Sequence, residues 1–244
     1  MVSEKRSILI TGAAGGIGWA TARLFAQEGA SLVLADLLPF ADRQIGELTK
    51  LGAAGVVTHP CDVSKEREVE VVCKLALDRF GSLDVIVNVA GMMIFRSLEE
   101  LTEQDWQQVT GVNLLSVAYF TKHGFLRMKA GASIVNVSSV HAVQSTPQVA
   151  SYAAAKAGML ALTRAAAIEG KAKGIRCNAI LPGAVDTPML WNNPNIKSGA
   201  EQIDGADVGK PEEVAAAIRF LASQEASFIT GASLAVDGGR LAQL

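Results

Sequence analysis

The feature that most restricts the fold of this chain is a regular alternation of two hydrophobic patterns. Short aliphatic and β-branched runs at 7–11, 31–36, 55–59, 85–88, 132–137 and 175–181 read as strands. Longer amphipathic stretches at 17–28, 40–51, 65–80, 103–127, 151–173 and 211–223 read as helices, and a last short strand falls at 233–236. Strands separated by helices pair in parallel through crossovers, because a parallel pair cannot be closed by a tight turn. The strand runs are continuously apolar rather than alternating, which fits strands covered on both faces. The expected fold is α/β: a single doubly wound parallel sheet with helices on both faces, spanning 1–244 as one domain. The irregular stretch 188–209 collects Pro, Asn, Gly and Asp and is expected to be a loop beyond the strand ends, a candidate substrate lid.

The first strand runs into Thr11-Gly12-Ala13-Ala14-Gly15-Gly16-Ile17-Gly18, and the first helix opens inside that segment. Glycines there let the backbone turn sharply and approach a pyrophosphate, and the helix start presents free N–H groups to it. A strand, a glycine cluster and a helix in this order predict dinucleotide binding. The second strand ends in Asp36, placed to accept hydrogen bonds from ribose hydroxyls. A carboxylate at that point repels a 2′-phosphate, and no Arg or Lys stands at positions 13, 14, 37 or 38 to receive one. The cofactor expected is therefore NAD rather than NADP.

Tyr152 and Lys156 lie four residues apart near the start of a predicted helix, so they share a face. A free phenol ionises near pH 10, too high for a base at neutrality. A neighbouring ammonium, and the positive charge of an oxidised nicotinamide, would favour the phenolate. Ser138 and Ser139 follow an apolar strand, where a hydroxyl could meet a substrate oxygen. His141, two residues further on, reads either as an exposed loop residue or as part of the substrate wall.

These segments occur in one order with Asp62-Val63, Asn88-Val89-Ala90-Gly91, Asn113, Pro182-Gly183 and Asp237-Gly238-Gly239. Together they resemble the short-chain dehydrogenase/reductase family over nearly the whole chain, which implies a Rossmann fold. The resemblance implies a catalytic set of Asn113, Ser139, Tyr152 and Lys156; the family's serine-to-tyrosine spacing selects Ser139 over Ser138. It implies cofactor contacts from Gly12, Gly15, Gly16, Ile17, Gly18 and Asp36 at the glycine loop. Asp62 and Val63 would hold the adenine, and Asn88, Ala90 and Gly91 the ribose and pyrophosphate side. Tyr152, Lys156, Pro182, Gly183, Val185 and Thr187 would meet the nicotinamide end. Asn113 would hold a water linking Lys156 to solvent. Val89 departs from the family, which most often has a second Asn there.

The activity so implied is hydride transfer between NAD(H) and a small secondary alcohol or ketone, with a sugar or polyol as one substrate class. The alternatives are a 3-oxoacyl-thioester reductase, which would ordinarily want NADPH, and a nucleotide-binding sensor without catalysis. With 22 basic and 24 acidic residues, net charge −2, no basic excess calls for nucleic acid or a membrane surface. Cys61, Cys73 and Cys177 are odd in number and not at metal-ligand spacing, so free thiols and no metal are expected. Gly12 interrupts the first apolar run too early for a signal peptide, and a cytoplasmic location is expected. Runs of Ala in the 151–173 helix suit close helix packing, and the resemblance implies a homotetramer.

Overall fold

A computed structural model describes residues 6–199 and 202–242. Residues 1–5, at the start of the stretch used to judge a signal peptide, and 200–201, within the expected lid, lie outside the described residues. The strands are β1 (Ser7–Thr11), β2 (Ser31–Asp36), β3 (Gly55–Pro60), β4 (Val85–Asn88), β5 (Ser133–Val137), β6 (Arg176–Pro182) and β7 (Ser233–Val236). They form one seven-stranded sheet in the order β3-β2-β1-β4-β5-β6-β7, and every neighbouring pair is parallel. The chain reverses direction across the sheet between β1 and β4, and a crevice opens there beyond the carboxyl ends.

The helices are α1 (Gly16–Gln27), α2 (Asp42–Leu51), α3 (Glu66–Phe80), α4 (Glu103–Thr110), α5 (Ser116–Arg127), α6 (Ala150–Lys171), α7 (Pro188–Trp191), α8 (Pro194–Lys197) and α9 (Pro211–Ala222). Side chains of a strand point alternately to opposite faces. Ile8 and Ile10 of β1 therefore join Phe25, Leu34 and Ile218 on one side of the sheet, while Leu9 joins Val72, Ile86 and Phe120 on the other. Two cores need apolar residues at every position, which is the physical reason that these strands do not alternate. At the far edge the pattern lapses: Ser233, Leu234 and Ala235 of β7 are exposed.

One expected element is corrected. The stretch 103–127 is not a single α-helix, because a π-helical turn at Gly111–Leu115 separates α4 from α5. Such a turn shifts the hydrogen-bond ladder by one residue and commonly marks a functional site. Asn113 is at its centre, 0% exposed.

Candidate active site

The carboxyl ends of β1 to β6 meet at one crevice, which holds a cavity of about 460 Å³. Its floor is the turn after β1. Gly12 has φ +62°, and a Cβ on it would come within 2.9 Å of the Ala90 backbone. Thr11 Oγ1 accepts from the N–H groups of Val89 (3.0 Å) and Ala90 (3.1 Å), which ties this turn to the one after β4. The valine that replaces the usual Asn thus still makes the tie through its backbone, and its side chain packs on the core.

A dinucleotide fits this floor. The N-cap of α1 is Gly15, which has no side chain to cap the helix, and the first turn of α1 holds no acidic residue. A Cβ on Gly15 would meet nothing within 4 Å, so the approach to the helix N-terminus is open. N–H groups facing an open cradle at a positive dipole end suit a pyrophosphate. Asp36 does two jobs within the protein: Oδ2 accepts from Ala14 N (2.9 Å) and Oδ1 from Leu38 N (3.0 Å). Each carboxylate oxygen keeps a second lone-pair direction for a ribose hydroxyl. Asp62 is held similarly, with Oδ1 accepting from Ser64 N (3.0 Å) and Ser64 Oγ (2.6 Å). Asp36, Asp62 and Val63 line the cavity at this end.

Gly12, Gly15, Gly16 and Ile17 border the cavity, as do Ala90 and Gly91. Tyr152, Lys156, Pro182, Gly183, Val185 and Thr187 border it too. Gly18 and Asn88 do not. A Cβ at Gly18 would fall 2.1 Å from the Gly12 carbonyl oxygen, so its task is to let α1 pack onto the turn. Asn88 ends β4 directly opposite Asn136 of β5 in register. Its side chain therefore lies beside that of Asn136 on the same face of the sheet, where Nδ2 donates to Asn136 Oδ1 at 2.8 Å. Asn136 Nδ2 in turn donates to Thr163 Oγ1 (2.9 Å), which makes a buried polar chain beneath the crevice.

The chemical end is set by α6 and the turn after β5. Tyr152 and Ser139 are each 6% exposed and their hydroxyls are hydrogen-bonded. Lys156 lies one turn on from Tyr152, its Nζ 5.6 Å from the centre of the phenol ring and donating to Val137 O at 2.8 Å. Burial pushes the Tyr152 phenol up to about 12, against the opposing pull of its bond with Ser139. Burial also pulls the Lys156 ammonium down from 10.5 to about 7. Within the protein alone desolvation thus outweighs the attraction of lysine for a phenolate, and both groups favour their neutral forms. Ser138, the rejected candidate, spends its hydroxyl on Lys156 O at 3.0 Å and steadies α6.

Asn113 does not border the cavity. Its Nδ2 donates to Met92 O and Val109 O, both at 2.9 Å, and its Oδ1 accepts from Met92 N at 3.2 Å. Those bonds fix the segment after Gly91, which carries Met92 and Met93 into the cavity wall. His141 is half-buried on the cavity wall, its ring edge-on to Tyr152 with centroids 6.0 Å apart. It is therefore not the exposed loop residue that one reading of the sequence offered. Asn193 caps α8 by accepting from Asn195 N (2.9 Å), and Trp191 Nε1 donates to Asp186 Oδ1 (2.7 Å).

Sequence reasoning missed Met92, Met93, Ile203 and Arg240, all of which line the cavity. Arg240 immediately follows Asp237-Gly238-Gly239, and that adjacency is the signal by which it could have been found.

Comparison with known proteins agrees with this fold. A family model described as "Enoyl-(Acyl carrier protein) reductase" matches residues 12–240. The chain is 43% identical over 241 residues to cis-4-hydroxycyclohexanecarboxylate dehydrogenase of Sinomonas cyclohexanicum, covering 96% of each chain. It is 39% identical over 246 residues to the short-chain dehydrogenase/reductase aba4 of Botryotinia fuckeliana, covering 95% of each. Among solved structures, a levodione reductase superposes with a TM-score of 0.88 at 32% identity, covering 98% of both chains.

Proposed function

Because this chain belongs to the short-chain dehydrogenase/reductase family, we propose that it is an NAD(H)-dependent oxidoreductase interconverting a small secondary alcohol and its ketone. The observation that carries this reading is the Ser139–Tyr152–Lys156 cluster, buried at the end of a cavity whose other end is a glycine cradle with Asp36 beside it. Gly12, Gly15, Gly16, Ile17 and Asp36 would hold the adenosine and pyrophosphate of NAD, Asp62 and Val63 the adenine, and Gly183, Val185 and Thr187 the nicotinamide. Bound there, NAD supplies the acceptor for the carbinol hydride and, when oxidised, a positive charge beside the phenol.

The substrate hydroxyl sits between Ser139 and Tyr152. Ser139 donates to the oxygen and orients it, and Tyr152 as phenolate removes its proton. Positive charge near the ring brings the phenol down from about 12, and charge on Lys156 does the same at 5.6 Å. Lys156 takes up that proton only as it passes one of its own on toward solvent, so that its single positive charge is kept. With the Asn113 side chain committed to Met92 and Val109, a relay water at that point would be held by the backbone of the π-turn. Reduction runs these steps in reverse, with Tyr152 as the acid.

Met92, Met93, Val140, Met189, Leu190 and Ile203 give the substrate end apolar walls, which support an apolar or alicyclic alcohol over a sugar. The alternative of a 3-oxoacyl-thioester reductase would ordinarily use NADPH, and the Asp36 carboxylate speaks against it. The residues 188–199 and 202–209 form the lid, and the protein works in the cytoplasm as a homotetramer. Exposed Leu126 of α5, Ile168 of α6 and Phe228 beside β7 support assembly. No described helix is long and apolar enough to cross a membrane.

Tyr152→Phe tests the central claim. It should lower kcat for cyclohexanol oxidation by at least about 1,000-fold while NADH affinity, read by fluorescence titration, stays within about threefold. Turnover near that of the wild type would end the proposal.

A further inference from the structure

Asp237-Gly238-Gly239 follows β7 and takes no part in the chemistry proposed above. The fold nevertheless sets this turn against the end of β6. Pro182 of β6 stands opposite Val236 of β7, and Gly183 N donates to Val236 O at 3.1 Å. One residue further on, the two chain segments touch backbone to backbone. A Cβ on Gly183 would fall 2.8 Å from Asp237 Cα and 3.1 Å from Asp237 O, so a glycine is required there because the Asp237 turn lies against it. Gly183 borders the cavity. A shift of the turn is therefore a shift of the cavity wall.

The turn is organised by the Asp237 carboxylate. Oδ1 accepts from Gly239 N (3.0 Å) and Oδ2 from Leu241 N (2.8 Å), while Asp237 O accepts from Arg240 N (3.2 Å). Gly238 and Gly239 have φ +63° and +86°. Two glycines in succession have little stiffness of their own, so the order of this turn comes from the bonds to the carboxylate. Bonds from backbone N–H groups to an ionised acceptor are among the stronger ones. Leu241, placed by the second of them, joins an apolar cluster with Ala142, Leu160, Ala179 and Leu181. Ala142 ends the short turn Val140–Ala142, whose N-cap is Ser139. The Asp237 turn thus touches Gly183 on one side and the segment after the catalytic serine on the other.

We propose that Asp237 is a positioning residue: by holding the turn between Gly183 and Ala142, its carboxylate sets where the nicotinamide stands relative to Ser139 and Tyr152. The inference rests on the dehydrogenase reading above, with the nicotinamide at Gly183. Hydride transfer needs its two carbons close and aligned, and a displacement of about an ångström at such a site costs on the order of 100-fold in rate. The glycine cradle belongs to β1, three strand spacings from β6, about 14 Å. Loosening the Asp237 turn therefore acts on the nicotinamide and leaves the adenosine and pyrophosphate seated.

The test compares NADH with ADP-ribose, which carries the same adenosine and pyrophosphate without the nicotinamide. Calorimetric titration of Asp237→Ala should find NADH affinity lowered by about tenfold and ADP-ribose affinity within about twofold of the wild type. A merely structural role would lower both together, since an unfolded or loosened domain loses the whole nucleotide site. Asp237→Asn keeps an acceptor for one of the two N–H groups and should move the NADH-to-ADP-ribose ratio the same way by less, which covers the case that the alanine variant fails to fold. Equal losses for the two nucleotides, or no loss for either, overturn the inference and leave the dehydrogenase reading standing. A wild type that binds neither nucleotide overturns both.

Discussion

Asp36→Asn changes one charge at the cofactor end and little else in shape. In the wild type the carboxylate is held by Ala14 N and Leu38 N, and with the cofactor placed as proposed it faces the 2′-phosphate that NADP would bring. A unit charge pair at about 4 Å is worth about 4 kcal/mol at an effective dielectric constant of 20. The residue is half-buried, so solvent and salt reduce this repulsion. About 2–3 kcal/mol should survive, a factor of roughly 30–150. The amide retains one acceptor oxygen and forfeits the other, leaving one of the two backbone N–H groups without its partner, which costs about 1 kcal/mol of stability. Initial rates with NAD and NADP at saturating cyclohexanol give the ratio of kcat/KM for the two cofactors. That ratio should shift toward NADP by the factor above, and the shift should shrink as salt is raised. A ratio that moves less than about threefold, or a wild type that already favours NADP, would refute the electrostatic argument.

Lys156 makes stability depend on pH. Its pKa is pulled from 10.5 to about 7 by burial, so between those values the unfolded chain carries a proton that the folded chain lacks. Stability of the cofactor-free protein should therefore rise with pH across that window, and Lys156→Met should flatten the Tm profile; parallel profiles for the two proteins would contradict it. Asn136→Ala removes the centre of the Asn88–Asn136–Thr163 chain and leaves a buried amide unpaired. Urea unfolding should report a loss of about 2–4 kcal/mol, and a loss under about 0.5 would mean that the chain adds nothing net. Gln148 has φ +67° just before α6, a conformation that a β-branched residue adopts poorly. Gln148→Val should lower stability by about 1–2 kcal/mol and Gln148→Gly should not, and equal effects on Tm would show that backbone conformation is not the cause.

The alternation of strands and helices was legible because each pattern has its own period and each strand needs apolar residues for two cores. Ile8, Leu9 and Ile10 announce a doubly covered strand before any coordinate is known. The glycine cradle and Asp36 were legible for a similar reason, whereas the Tyr152–Lys156 pair, whose four-residue spacing is common, stood out through the family resemblance. Their spacing is local, and a helix start or a single helical turn fixes the geometry that the chemistry needs. Tertiary structure decided everything that depends on neighbours distant in sequence. Asn88 looks like a cofactor residue in its motif, but register with Asn136 engages it with that side chain on one face of the sheet. Asn113 sits in a stretch that reads as unbroken helix, and the π-turn there answers to its bonds with Met92, which no helical periodicity encodes. The neutral preference of Tyr152 and Lys156 arises from burial, a property of the packed crevice rather than of spacing. Arg240 is plain in the sequence as a residue, but only the strand order brings the end of β7 to the same crevice as the end of β1. Local rules, in short, reach as far as one element and its caps; which strand ends share a cavity is a matter of topology.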